Sequence, residues 1–91
     1  RRLIARVAES GEDRRRDRAR RRLAQLNDRE REVAVAVGRG LSNAQIGAAL
    51  HLSVPTVKTH VSAVLARFGF TNRVQIALLV HDAGLLDDEE E

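Results

Sequence analysis

One stretch constrains this chain more than any other: Ser53 to Phe68, SVPTVKTHVSAVLARF. Wound at about 100° per residue, it places Val57, Val61, Val64, Leu65 and Phe68 on one side of a helix. That side is a core face. Pro55, Lys58, Thr59, Ser62 and Ala66 fall roughly opposite, and Thr56, His60 and Arg67 share one flank. The outer face is narrow, small and hydrogen-bonding, and it holds no carboxylate. A face meant only for solvent usually mixes Glu and Asp with Lys and Arg. Small residues and donors suit a helix that enters a DNA major groove, with phosphates on both sides. The ends agree with the faces. Ser53 is a natural N-cap, Pro55 sits where a missing N–H costs little, and Gly69 can form a left-handed C-cap.

The segments before it read as shorter helices. Asn27 with Glu30 matches a capping box and opens a helix over Asp28 to Val37, with Val33, Ala36 and Val37 facing inward and Gly38 and Gly40 stopping it. Ser42 with Gln45 repeats that logic for a helix ending near Leu50, with Ile46, Ala49 and Leu50 on its inner side. A short helix, a turn of three or four residues and a second helix make a helix-turn-helix. Its expected anchors are Gly47, Leu52 and Val57, with Gly47 small where the two helices cross closely. Many such turns carry Gly where His51 stands, so the sequence predicts a turn of different local shape.

After Gly69, Thr71 can cap a last helix over Asn72 to Ala83, ended by Gly84. That helix carries two apolar stripes. Val74, Ala77, Leu78 and His81 share one side, and Ile76, Leu79, Val80 and Ala83 the other. A monomer's surface helix needs one stripe. The second is expected to need a cover, either a partner protomer or the N-terminal Leu3, Ile4 and Val7. A homodimer through Ile76, Leu79, Val80 and Ala83 is the simpler expectation.

Charge is unevenly spread along the 91 residues. Residues 1–26 carry net +6, and residues 85–91 carry net −5. Leu3, Ile4, Val7 and Ala8 form a short stripe that is expected to end near Ser10–Gly11. Asp13 to Gln25 then reads as a second helical stretch with seven Arg and a thin stripe of Ala19, Leu23 and Leu26. The Arg run either adds phosphate contacts or forms a solvated, half-ordered linker, and its charge density favours the linker. The acidic run 87–91 is expected to be a mobile tail, either solubilising or competing with DNA for basic surface. A chain with no Met that starts at Arg1 is expected to be a piece of a longer protein. No apolar run approaches the roughly 20 residues that span a membrane. The lack of Cys rules out disulfides and thiolate metal sites and fits a cytoplasmic setting. No metal and no cofactor is expected. His51 and His81 read as structural, because no third ligand accompanies them at metal spacing.

Residues 26–86 resemble the LuxR/NarL-type DNA-binding domain, also called FixJ/GerE-type. The matching words are LNDREREV, GLSNAQIG, LHLSVPTVKTHVSAVLARFG and NRVQIALL. The resemblance implies an all-α, compact four-helix domain whose third helix reads the major groove and whose last helix dimerises. Residues 1–25 would be an Arg-rich, helical or partly ordered linker. Residues 1–9 look like the end of the connector that follows a receiver domain in response regulators. The family pattern puts Lys58, Thr59 and Ser62 at base-reading or nearby backbone positions. It puts Thr56, His60 and Arg67 near phosphates, with Ser42, Asn43 and Gln45 as further contacts. The chain departs from that pattern at Ala34 and Ala36, where Leu is usual, at Gly47, where Ala is usual, and at Ser62, where some relatives carry a base.

The functional expectation is sequence-specific binding of double-stranded DNA in transcription regulation, as the output domain of a larger regulator, with RNA polymerase as a further partner. The alternative is a promoter-binding domain like region four of a sigma factor. The TVKTH word and the NRVQIALL helix favour the first, because the sigma pattern usually ends soon after its reading helix. An enzyme is not expected: there is no Cys nucleophile and no triad pattern of Ser, His and acid.

Overall fold

The computed structural model describes residues 2–86, with side chains from residue 11 onward. The side chains of Leu3, Ile4, Val7 and Ala8 lie outside that description, as does the whole acidic run 87–91. Five helices follow in order: α1 (Arg2–Leu23), α2 (Asp28–Gly38), α3 (Asn43–Leu50), α4 (Val54–Phe68) and α5 (Arg73–Asp82). Among the described residues there is no strand. The class is the expected one, all-α with a helix-turn-helix, and the Arg-rich segment is itself helical.

The helix starts follow from capping chemistry. Glu30 N–H donates to Asn27 Oδ1 at 2.7 Å, and Asn27 N–H donates to Glu30 Oε1 at 3.2 Å. Gln45 N–H donates to Ser42 Oγ at 3.1 Å, and Ser42 N–H to Gln45 Oε1 at 2.8 Å. Both are reciprocal capping boxes. The cap of α5 is Asn72 rather than Thr71. Asn72 Oδ1 accepts from both Val74 N–H, at 3.0 Å, and Gln75 N–H, at 3.3 Å. Thr71 lies one residue too early and instead donates its N–H to Gln75 Oε1.

α1 runs straight through Ser10–Gly11, where the sequence suggested an end. Gly inside a helix costs about 1 kcal/mol relative to Ala. Arg is a good helix former, and seven of them follow over residues 14–22. The end of α1 is closed from outside: Arg31 donates to Leu23 O at 3.2 Å and to Leu26 O at 2.9 Å. A cation at a helix C-terminus is favourable.

α2 is the centre of the core. It packs on α4 and α5, and Val33, Ile46, Val57, Val64, Ile76 and Val80 are the largest fully buried side chains. Gly38 does not stop α2. It is the helix's last residue, and a Cβ there would lie 2.7 Å from Val80 Cγ1. Its smallness lets α2 approach α5. The chain leaves through Gly40 at φ +85, with Gly40 N–H bonded to Val37 O and Leu41 N–H to Ala36 O.

α5 reverses the expectation about its stripes. Ile76, Leu79, Val80 and Ala83 are buried within the protomer, so they are not a surface waiting for a partner. α1 and α2 cover them: Ala19 and Leu23 of α1 are buried in the same cluster. Arg20 Nε donates to Ala83 O at 2.7 Å and ties the two helices at the end of α5. The exposed apolar residues of this helix are Val74 and Leu78, at 61% and 59% exposure. Helical periodicity shows that two stripes exist but does not rank them.

Candidate nucleic-acid interface

α3 and α4 are joined by His51, Leu52 and Ser53. His51 takes the left-handed conformation, φ 61 and ψ 45. The turn therefore has the shape a glycine would give it, and the expected different shape is not found. His tolerates this region better than β-branched residues do. The turn is closed by Leu52 N–H donating to Gly47 O at 2.8 Å. A Cβ on Gly47 would run into the Leu52 carbonyl, and Val57 is buried beneath the crossing. The bend between the two helices is thus held by backbone against backbone, with Leu52 half-buried.

This packing turns the valine stripe of α4 inward. Val57, Val61 and Val64 are buried, and Leu65 and Phe68 are partly buried against the core. Pro55, Lys58, Thr59, Ser62 and Ala66 are all exposed on the outer side. Lys58, Thr59 and Ser62 share that outward face at i, i+1 and i+4. Thr59 Oγ1 donates to Pro55 O at 3.1 Å, which steadies its rotamer and leaves the oxygen free to accept. Thr56 Oγ1 lies 2.9 Å from Ser53 Oγ at the start of the helix. His60 is half-buried, and Arg67 is exposed in the last turn. α4 contains no carboxylate. Among the described residues the ion pairs are Arg29–Glu32 and Arg31–Asp28, both on α2, so neither Lys58 nor Arg67 is neutralised.

The expected contacts at the start of α3 are less free. Ser42 and Gln45 hold each other in their capping box. Asn43 Oδ1 accepts from Arg73 Nη1 at 2.8 Å, and Arg73 Nη2 donates to Leu41 O at 3.0 Å. These bonds pin the start of α3 to the start of α5. Ala49, expected to face inward, is exposed.

Two features emerged only in the structure: which stripe of α5 faces outward, and a ring cluster at the end of α4. Val74 and Leu78 form an outward apolar pair one turn apart on α5. At the far end of α4, the Phe68 and Phe70 rings lie 5.4 Å apart, and the Arg22 guanidinium sits 5.0 and 5.3 Å from their centroids. Nothing in the spacing of Arg22 marks it out among its neighbours.

Among the described residues no three of His, Cys, Asp and Glu gather in metal-binding geometry. No single helix is long and apolar enough to cross a membrane.

Residues 24–80 match the luxR family of bacterial regulatory proteins. An uncharacterized transcriptional regulatory protein of Bacillus subtilis, YhcZ, is 48% identical over 54 residues, which covers 59% of this chain and 25% of that protein. The response regulator protein VraR of Staphylococcus aureus is 34% identical over 61 residues, 67% of this chain and 29% of VraR. The chain therefore spans less than a third of the length of these relatives.

Proposed function

The chain belongs to the luxR family of bacterial regulatory proteins, and from that premise we propose that it is the DNA-binding output domain of a larger, cytoplasmic transcription regulator. In this reading α4 lies in the major groove of duplex DNA, and Lys58, Thr59 and Ser62 meet base edges. Thr56, His60 and Arg67, with Ser42, Asn43 and Gln45, meet the backbone. The observation that carries the reading is the exposed, acid-free outer face of α4, set on a rigid turn. Phosphates repel carboxylates, and base edges need small neighbours and donors around one long side chain.

The reading and dimer helices lie in residues 26–86; residues 1–25 lead into that unit as a connector whose α1 packs on it through Ala19 and Leu23, and 87–91 are the tail. The upstream partner is a regulatory domain, taken to be a receiver because VraR is a response regulator. A match that continues across α5 to residue 80 favours this reading over a sigma-like domain. The homodimer belongs on the outward face of α5, through Val74 and Leu78, since the other stripe is already covered. RNA polymerase is a further partner in this reading.

The test uses duplex probes selected from a random library by the wild-type chain. Lys58→Ala should change the preference between selected and scrambled probes by about 1–3 kcal/mol. Arg67→Ala should weaken all probes alike and flatten the salt dependence by about one phosphate. Equal, uniform losses for both variants would show that α4 does not read bases.

A further inference from the structure

We propose that the flank of α1 bearing Arg14, Arg15, Arg18, Arg21 and Arg22 is a second DNA contact, a rail for backbone phosphates that extends the footprint beyond the C-terminal end of α4. The proposal rests on the reading that α4 docks on duplex DNA.

The charges of α1 are sorted by side. Ala19 and Leu23 are buried and define the inward direction. At about 100° per residue, the five arginines fall on one flank, over roughly a third of the circumference. Asp13 falls on the far side, beside Arg20, and Asp17 borders the flank, one turn from both Arg14 and Arg21. A helix decorated only for solubility would intersperse the two signs. Arginines spaced three and four residues apart repel each other on a helix surface. Asp17 is the acid placed to relieve that repulsion at Arg14 and Arg21, yet among the described residues no ion pair joins it to either.

The direction of the basic flank is known from one contact. Arg22 stacks on Phe68 and Phe70, the rings that close the end of α4. The flank is therefore the one turned toward the end of the reading helix, where Arg67 is also exposed. Arg22 is held by the rings, and Arg14, Arg15, Arg18 and Arg21 are exposed.

The basic flank is also unneutralised. None of these arginines pairs with a carboxylate among the described residues. Asp82 lines the same shallow groove as Arg15, Arg18 and Arg22, yet forms no ion pair with them. Guanidinium groups on a rigid helix, one turn apart, suit a row of phosphates, each of which accepts a planar fork. The flank lacks the small hydrogen-bonding residues of the α4 face, so it should add affinity without sequence preference.

The experiment measures affinity against salt for the 91-residue chain on a library-selected duplex, with long flanks and with flanks trimmed to the core site. The wild type is compared with Arg14→Gln/Arg18→Gln/Arg21→Gln, with the same three positions changed to Lys, and with Lys58→Ala. On the long duplex the Gln variant should lose about 2–3 from the slope of log K against log[salt], near 0.9 for each lost phosphate. Its preference for selected over scrambled probes should be unchanged. The Lys variant should keep the slope, and trimming the flanks should bring wild type and Gln variant together. An unchanged slope for the Gln variant, with Lys58→Ala still altering preference, would overturn the rail while leaving the α4 reading intact. Loss of helicity in the Gln variant leaves the wild type to decide, because a slope indifferent to flank length also overturns the rail. A wild type that selects no duplex removes the α4 reading and the rail together.

Discussion

α4 and α5 are consecutive helices set at a 71° bend, and they bury apolar side chains on different terms. α4 has one apolar stripe, with a polar face opposite. Only one rotation about its axis hides the valines, and that rotation presents Lys58, Thr59 and Ser62. α5 has apolar residues on both sides, so hydrophobicity alone permits two rotations. The choice is made by its neighbours. Gly38 makes room for Val80, α1 adds Ala19 and Leu23 to the cluster in which Leu79 and Ala83 are buried, and Arg20 fastens α1 to the end of α5. The helix that reads is oriented by its own composition. The helix that remains sticky is oriented by what packs on it.

The strongest way to break this comparison is to charge both faces of α5. Leu79→Asp buries a carboxylate at a site only 5% exposed and should cost about 4 kcal/mol or more. Circular dichroism in urea should show a domain that is largely unfolded. Leu78→Asp, on the exposed face, should shift stability by less than about 0.5 kcal/mol. If the two substitutions cost the same, the assignment of inside and outside on α5 is wrong.

The same Leu78→Asp chain sharpens the comparison in binding. On a probe with two half-sites, the wild type should bind cooperatively, because one protomer raises the effective concentration of the next. Leu78→Asp should abolish that cooperativity and leave a single half-site bound as before. Gel shifts on one-site and two-site probes decide it. Retained cooperativity would remove Val74 and Leu78 as the interface.

The smallest effect concerns the turn that aims α4. His51 holds a left-handed φ of 61, a region that glycine occupies without penalty. His51→Gly should raise stability by about 0.5–1 kcal/mol, the relief of local strain less the entropy cost of glycine. Urea melts measure it, and probe preference should not change. A loss of stability would mean that the His51 side chain contributes more than its backbone costs.

Much of the fold was legible because the signals were local. Capping boxes at Asn27–Glu30 and Ser42–Gln45, Pro55 in the first turn, and Gly69 after the last each report on a few neighbouring residues. The face of α4 was legible because its two sides differ in kind. The role of Gly38 was misread because a glycine at a helix end looks like a stop whether or not another helix leans on it. The turn at His51 was misread because its left-handed shape is set by Gly47 and Leu52, not by the preference of histidine.

The sequence by itself determined where α2 to α5 lie to within a residue or two, that α4 turns Val57, Val61 and Val64 inward, and which polar residues it shows. These outcomes rest on periodicity and capping, which act over one or two turns of chain. Only the tertiary structure decided that α1 is one helix with Ala19 and Leu23 in the core, that Ile76, Leu79, Val80 and Ala83 face inward, and that Arg22 joins the arginine flank to the end of α4. Those outcomes depend on contacts between residues about 45 to 65 positions apart in the chain, where several partners offer similar burial. Shape then chooses among them, through the space left by a glycine and the reach of an arginine to a carbonyl.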